Sequence, residues 1–218
     1  MSDITIRNAT LADAPRILEI YAYYIEHTVI TFEYDVPSLA EFEDRMRDIM
    51  KKYPYLVIER DGRIEGYSYA HAFVGRAAYD WAAELTIYLD HDARRGGLGH
   101  VLYEALADRL KAMGVLNLYA CIGYPQVEDE YLTKNSAQFH EHLGFTLAGT
   151  FHNCGYKFGR WYDMIWMEKS SASTAPISRT SCRINIEPIQ KSRRIRWMHL
   201  LLLYCLSICS LWYCSVYS

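Results

Sequence analysis

The spacing of apolar residues changes period early in the chain. Ile4, Ile6 and Asn8 alternate with Thr5 and Arg7, a two-residue repeat that predicts a short strand. Ala14, Ile17, Leu18, Tyr21, Tyr24 and Ile25 then recur at three- and four-residue intervals, which gathers them on one face of a helix. Thr10 and Asp13 form a capping-box-like start for it, and Ser38 with Glu41 repeats that signature before a second stripe of Leu39, Phe42, Met46 and Ile49. The runs YLVIER and RIEGYSYAHAF flank Asp61-Gly62, a pair suited to a tight antiparallel hairpin. A strand over residues 81–89 leads into the glycine-rich stretch 94–99. Val101, Leu102, Ala105, Leu106 and Met113 then stripe a helix that Gly114 ends. VLNLYACIG reads as a further strand and NSAQFHEHLGF as a short helix stopped at Gly144. Strands over residues 146–152 and 161–168 follow, around the turn-prone GYKFGR. The order β-α-α-β-β-β-α-β-α-β-β predicts a single mixed α/β layer fold with at least one parallel crossover.

Charge divides the chain unevenly. Residues 1–169 hold 17 Lys/Arg against 25 Asp/Glu, and residues 170–218 hold 6 against 1, within a net charge of −3. An acidic body offers no general attraction to phosphate backbones, so no nucleic-acid partner is expected. Cys121 and Cys154 lie in the body, and Cys182, Cys205, Cys209 and Cys214 crowd the tail without C-x2-C spacing, so neither a disulfide framework nor a metal site is expected. The opening MSDITIRNAT has neither a basic nor an apolar leader region, which leaves the cytoplasm as the expected compartment.

The stretch Arg94-Arg95-Gly96-Gly97-Leu98-Gly99 joins a strand to a helix. Glycines there let consecutive N–H groups converge on one concavity at a helix N-terminus, a geometry that binds phosphate, and the two arginines add charge. A purely structural turn is the alternative. No Gly-Lys-Ser/Thr follows, which excludes a Walker loop, and the position after several strands disfavours a dinucleotide fold.

Arg94-x-x-Gly97-x-Gly99 resembles the acetyl-CoA signature of the GNAT superfamily of N-acetyltransferases. The segments Arg76-Ala-Ala-Tyr79-Asp80-Trp81-Ala-Ala-Glu84, Leu102-Tyr103-Glu-Ala-Leu, His140-Glu141-x-Leu143-Gly144-Phe145 and Gly155-Tyr156-Lys157-x-Gly159-x-Trp161-x-Asp163 are similar to its phosphinothricin and methionine sulfoximine/sulfone acetyltransferase branch. The similarity is collinear from Ile4 to about Lys169. It implies a GNAT fold, with a strongly twisted mixed sheet whose central parallel strands splay apart. It also implies acetyl-CoA as co-substrate, with backbone groups of Ile87, Tyr88 and Leu89 contacting it. Arg94, Arg95, Gly96, Gly97, Leu98, Gly99 and His100 would hold its pyrophosphate, and Asn135 would add a contact. QVEDEYLTKN, longer and more acidic than the short turn of the branch, stands just before that asparagine.

The resemblance implies roles for other residues too. Glu84 would be the base that frees the amine, acting through water, and His140 would return a proton to the leaving thiolate. Read without the family, Glu84 is an outward strand residue and His140 a packed helix residue. Arg76, Tyr79 and Phe32 would form the acceptor pocket, with Arg76 gripping a substrate carboxylate. The expected reaction acetylates the primary amine of a small amino-acid-like molecule. Another amine, such as a polyamine or a protein N-terminus, and an idle CoA-binding module are the competing readings. A homodimer is the assembly that relatives suggest.

Residues 170–218 depart from the family pattern. SSASTAPISRTS is linker-like, and Arg193, Arg194 and Arg196 precede 22 residues free of Asp, Glu, Lys and Arg. That segment is long enough for a membrane-spanning helix with its basic flank on the cytoplasmic side. A non-native extension accounts equally for the abrupt change in composition. The expected domain is 1–169, with 170–218 as an atypical appendage.

Overall fold

The structure is a computed structural model describing residues 3–93 and 96–170. Seven strands form one sheet in the order β1-β2-β3-β4-β5-β7-β6. They are β1 (Ile4–Asn8), β2 (Tyr55–Arg60), β3 (Arg63–Ala72), β4 (Ala82–Leu89), β5 (Asn117–Tyr124), β6 (Thr146–Lys157) and β7 (Arg160–Ser170). Among the described residues four α-helices accompany them: α1 (Ala14–His27), α2 (Leu39–Met50), α3 (Leu98–Ala112) and α4 (Asn135–His142). All neighbouring strands pair antiparallel except β4 and β5, which α3 connects in parallel. The element order and the crossover agree with the periodicity.

The continuous apolar run of β2 has a simple cause. Tyr55 and Val57 pack with Ile17, Tyr24, Phe42 and Met46 of α1 and α2, whereas Leu56 and Ile58 pack with Leu102, Leu106 and Leu110 of α3. Helices cover both faces, so Tyr55, Leu56, Val57 and Ile58 are all buried. Asp61 and Gly62 both take positive φ, 51° and 80°, as the two-residue hairpin requires. Ser38 caps α2 by accepting from the Glu41 N–H at 3.3 Å.

Three details differ from the sequence expectation. The buried stripe of α3 is Leu98, Leu102, Leu106 and Leu110, with Val101 and Met113 about half exposed. An i, i+4 leucine row fits the groove over β2 and β3, and periodicity alone does not phase it. The strand expected to stop at residue 152 continues to Lys157 through an irregularity at Asn153, which has φ 50°. Buried Asp163 holds that bend together, accepting from the Asn153 N–H at 2.8 Å and lying 2.9 Å from His152 Nδ1. Finally, β7 runs one residue past the expected domain end, with Ser170 opposite Asn117. The hydrophobic segment of the tail lies outside the described residues. Among the described residues no helix is long and apolar enough to cross a membrane.

Candidate active site

The ladder between β4 and β5 has only three pairs, Ala82 with Asn117, Ala83 with Leu118 and Glu84 with Tyr119. Beyond them the strands part. A cleft of about 290 Å³ opens there, lined by Leu85–Tyr88 of β4 and Ala120–Gly123 of β5. Peptide groups that a closed sheet would pair remain available to an extended guest. Glu84 stands at the apex of this wedge, where pairing ends.

The cleft continues along β4. A second hollow of about 250 Å³ shares Ile30, Ile87, Tyr88 and Ser136 with it and adds Leu89, Gly99, Thr133, Asn135 and Phe139. A third of about 320 Å³ shares Leu89, Gly99 and Phe139 with the second and reaches Gly97, Leu98 and His100 at the start of α3. One path therefore leads from Glu84 to a helix N-terminus. Gly97 caps that helix with φ 73°, and a Cβ built on it meets no atom within 4 Å, so the space over the turn is open. Unpaired first-turn N–H groups of a helix attract anions. Arg94 and Arg95 lie outside the described residues. Asn135, despite the longer segment before it, borders this path.

Glu84 is largely buried, its side chain 19% exposed, and burial pushes its carboxyl up from the ordinary range while nearby His71 pulls it back. His140 is also buried. Its Nδ1 lies 2.7 Å from the Ser136 carbonyl, which can only accept, so Nδ1 carries the proton and Nε2 accepts from the Tyr103 hydroxyl at 3.0 Å. Burial moves the ring below its usual pKa, so it is neutral near pH 7. Both nitrogens are thus engaged in packing the cleft wall.

Phe32 lines the cleft from the 28–35 loop, seated between Gly123 and Gly155. A Cβ on Gly155 would collide with its ring, which is why the β6 position beneath it carries no side chain. Lys157, 3% exposed, secures that loop: its Nζ donates to the carbonyls of Ile25, Thr28 and Thr31 at 2.8, 2.9 and 2.9 Å. A cation there also meets the negative end of α1. From the other side Tyr21 Oη donates to Glu33 at 3.0 Å, lies 2.9 Å from Thr31 Oγ1, and Arg45 Nη1 donates to the same Glu33 oxygen at 2.7 Å. The longer 126–135 segment is organised by Asp129, which accepts from the N–H groups of Tyr131 and Leu132 and from the Tyr162 hydroxyl. It joins the loop through Val29 N–H to the Tyr131 carbonyl at 3.1 Å.

Arg76 and Tyr79 are not brought to this cleft. They sit on an exposed turn between β3 and β4, and Tyr79 is 46% exposed. Sequence reading missed Tyr69, His71, Thr31 and Lys157. The β3–β4 connection is too long to fix strand register from its residues, so His71 opposite Glu84 leaves no local signal. A lysine within an aromatic hairpin likewise gives none.

A parallel strand pair that opens beside a glycine-capped helix is the arrangement that the resemblance implies for an acetyltransferase. The chain belongs to the GNAT family: the model of the acetyltransferase (GNAT) domain matches residues 6–166. It is an N-acetyltransferase, with relatives of that named activity over most of its length. It is 35% identical to the phosphinothricin N-acetyltransferase of Streptomyces viridochromogenes over 79% of this chain and 91% of that protein. It is 31% identical to the L-methionine sulfoximine/L-methionine sulfone acetyltransferase of Pseudomonas aeruginosa, over 75% of this chain and 92% of that one. Its fold matches a GNAT phosphinothricin acetyltransferase from Sinorhizobium meliloti, solved with acetyl-CoA, at a TM-score of 0.71 and 37% identity over 77% of this chain and 88% of the other.

Proposed function

We propose that this enzyme transfers the acetyl group of acetyl-CoA to the primary amine of a small amino acid of the phosphinothricin, methionine sulfoximine or methionine sulfone type. The observation that carries the reading is the position of Glu84, a largely buried carboxyl where the two parallel strands part and the path to the α3 N-terminus begins. When bound, acetyl-CoA supplies the activated thioester. Gly97, Leu98, Gly99 and His100 would hold its phosphates, the β4 backbone from Ile87 to Leu89 its extended arm, and Asn135 one side of that arm.

The acceptor arrives as an ammonium ion and reacts only as a neutral amine, so a carboxylate at the apex removes its proton, directly or through water. Phe32 supplies an apolar wall for the substrate side chain. His140 accepts from Tyr103 and is neutral, so in this reading it fixes the wall and does not act as an imidazolium acid. The leaving thiolate, with a thiol pKa of about 8.5 by analogy with cysteine, needs little help near neutral pH.

The test is Glu84→Gln. Acetyl-CoA affinity should stay the same while kcat with L-methionine sulfone falls by about 10²–10⁴-fold at pH 7 and recovers as pH approaches the amine's own pKa. A loss under tenfold, or one that does not change with pH, removes Glu84 as the base.

A further inference from the structure

His71 of β3 lies directly opposite Glu84 in the β3–β4 ladder, and both line the cleft. Its Nε2 is 3.6 Å from Glu84 Oε2. Its Nδ1 is 3.2 Å from the Ala72 carbonyl, an acceptor, so Nδ1 carries a proton and Nε2 is the nitrogen turned to the carboxyl. A proton on Nε2 makes His71 an imidazolium facing a carboxylate, and the same proton on Glu84 gives a neutral pair. The two side chains thus share one site for a proton between them.

The other titratable groups around Glu84 are uncharged. Tyr69 of β3, Tyr103 of α3, and Tyr119 and Cys121 of β5 are each raised by burial, with Tyr119 paired to Glu84 in the β4–β5 ladder and Cys121 pushed up to about 12, and His140 of α4 is held neutral. His71, with its side chain 37% exposed to water, is the group among the described residues able to face Glu84 as a cation.

We propose that His71 is a positioning residue for Glu84: its imidazolium on the neighbouring strand keeps the carboxylate charged and turned into the cleft. The proposal rests on Glu84 being the base. An opposite charge at 4–6 Å or less favours the ionised carboxylate, so Glu84 becomes available at a lower pH than burial alone would allow.

Two measurements on the full-length protein test this. The first is the acid limb of kcat/KM against pH with L-methionine sulfone as acceptor. His71→Gln should move that limb up by about one pH unit, and His71→Lys, permanently charged, should move it to or below the wild-type position. A purely structural role would lower the plateau in both variants without moving the limb, and limbs that stay in place overturn the proposal. The second is the nitrogen NMR spectrum of the His71 ring in wild type and Glu84→Gln, recorded at one pH within the acid limb. Loss of the carboxylate 3.6 Å away should shift the Nε2 resonance. An unchanged resonance overturns the pairing whatever the activity shows. Full activity in Glu84→Gln would instead sink the base reading, and the catalytic relevance of His71 with it.

Discussion

Lys157→Met replaces a buried ammonium by an apolar chain of similar length, and so removes one donor from three carbonyls at once. Each buried carbonyl left without its donor costs about 1–3 kcal/mol. Against this, the variant no longer has to dehydrate a cation, which costs several kcal/mol in the wild type. Part of the carbonyl loss is also recovered where water reaches the loop. The net destabilisation should be about 2–4 kcal/mol. Its second effect concerns function. Ile25 and Thr28 end α1, Thr31 precedes Phe32, and all three are tied to one point on the β6–β7 hairpin that also seats the Phe32 ring. Releasing that point should loosen the acceptor wall while the acetyl-CoA path along β4 and α3 stays intact. The assays are denaturant unfolding and steady-state kinetics with both substrates varied. KM for the amine should rise by about tenfold, the equivalent of 1.4 kcal/mol, with KM for acetyl-CoA little changed. Lys157→Arg should not rescue, because a planar fork cannot direct three donors at carbonyls converging on one atom. Stability within 0.5 kcal/mol of wild type (about the scatter of surface substitutions), together with an unaltered amine KM, would refute the reasoning.

Gly97→Val should weaken acetyl-CoA binding by at least tenfold in calorimetry, since the side chain enters the open space over the α3 turn. It should also cost about 1–2 kcal/mol of stability for a β-branched residue at φ 73°. Unchanged affinity would count against a phosphate site there. His140 gives a pH signature with a definite sign. Its folded pKa lies below the unfolded value of 6.5, so the unfolded chain binds the extra proton, and stability present above pH 6.5 is lost as pH falls toward the folded pKa. Urea midpoints between pH 8 and 5 should therefore fall more steeply for wild type than for His140→Gln (the window follows from the unperturbed histidine value), and parallel slopes would contradict a buried neutral ring.

Local patterns settled the elements of this protein because their causes are local. Alternation, helical stripes, the Ser38 cap and the Asp61-Gly62 turn each act within a few residues, and the element order they spell out is the one observed. The helix phase was less legible: the leucine row of α3 is selected by the groove it fills, which belongs to distant strands. The same holds for the site. Glu84, the glycine turn and Phe32 were picked out through the family resemblance of the motifs around them, and the path from the cleft to α3 is lined by all three. Three features depended on tertiary structure: the wedge that places Glu84 at its apex, the register that sets His71 against it, and the single lysine that gathers three carbonyls from the end of α1 and the Phe32 loop. Each joins segments separated by many residues, so the interaction energy exists only once the sheet has brought them together, and no window of the sequence contains both partners.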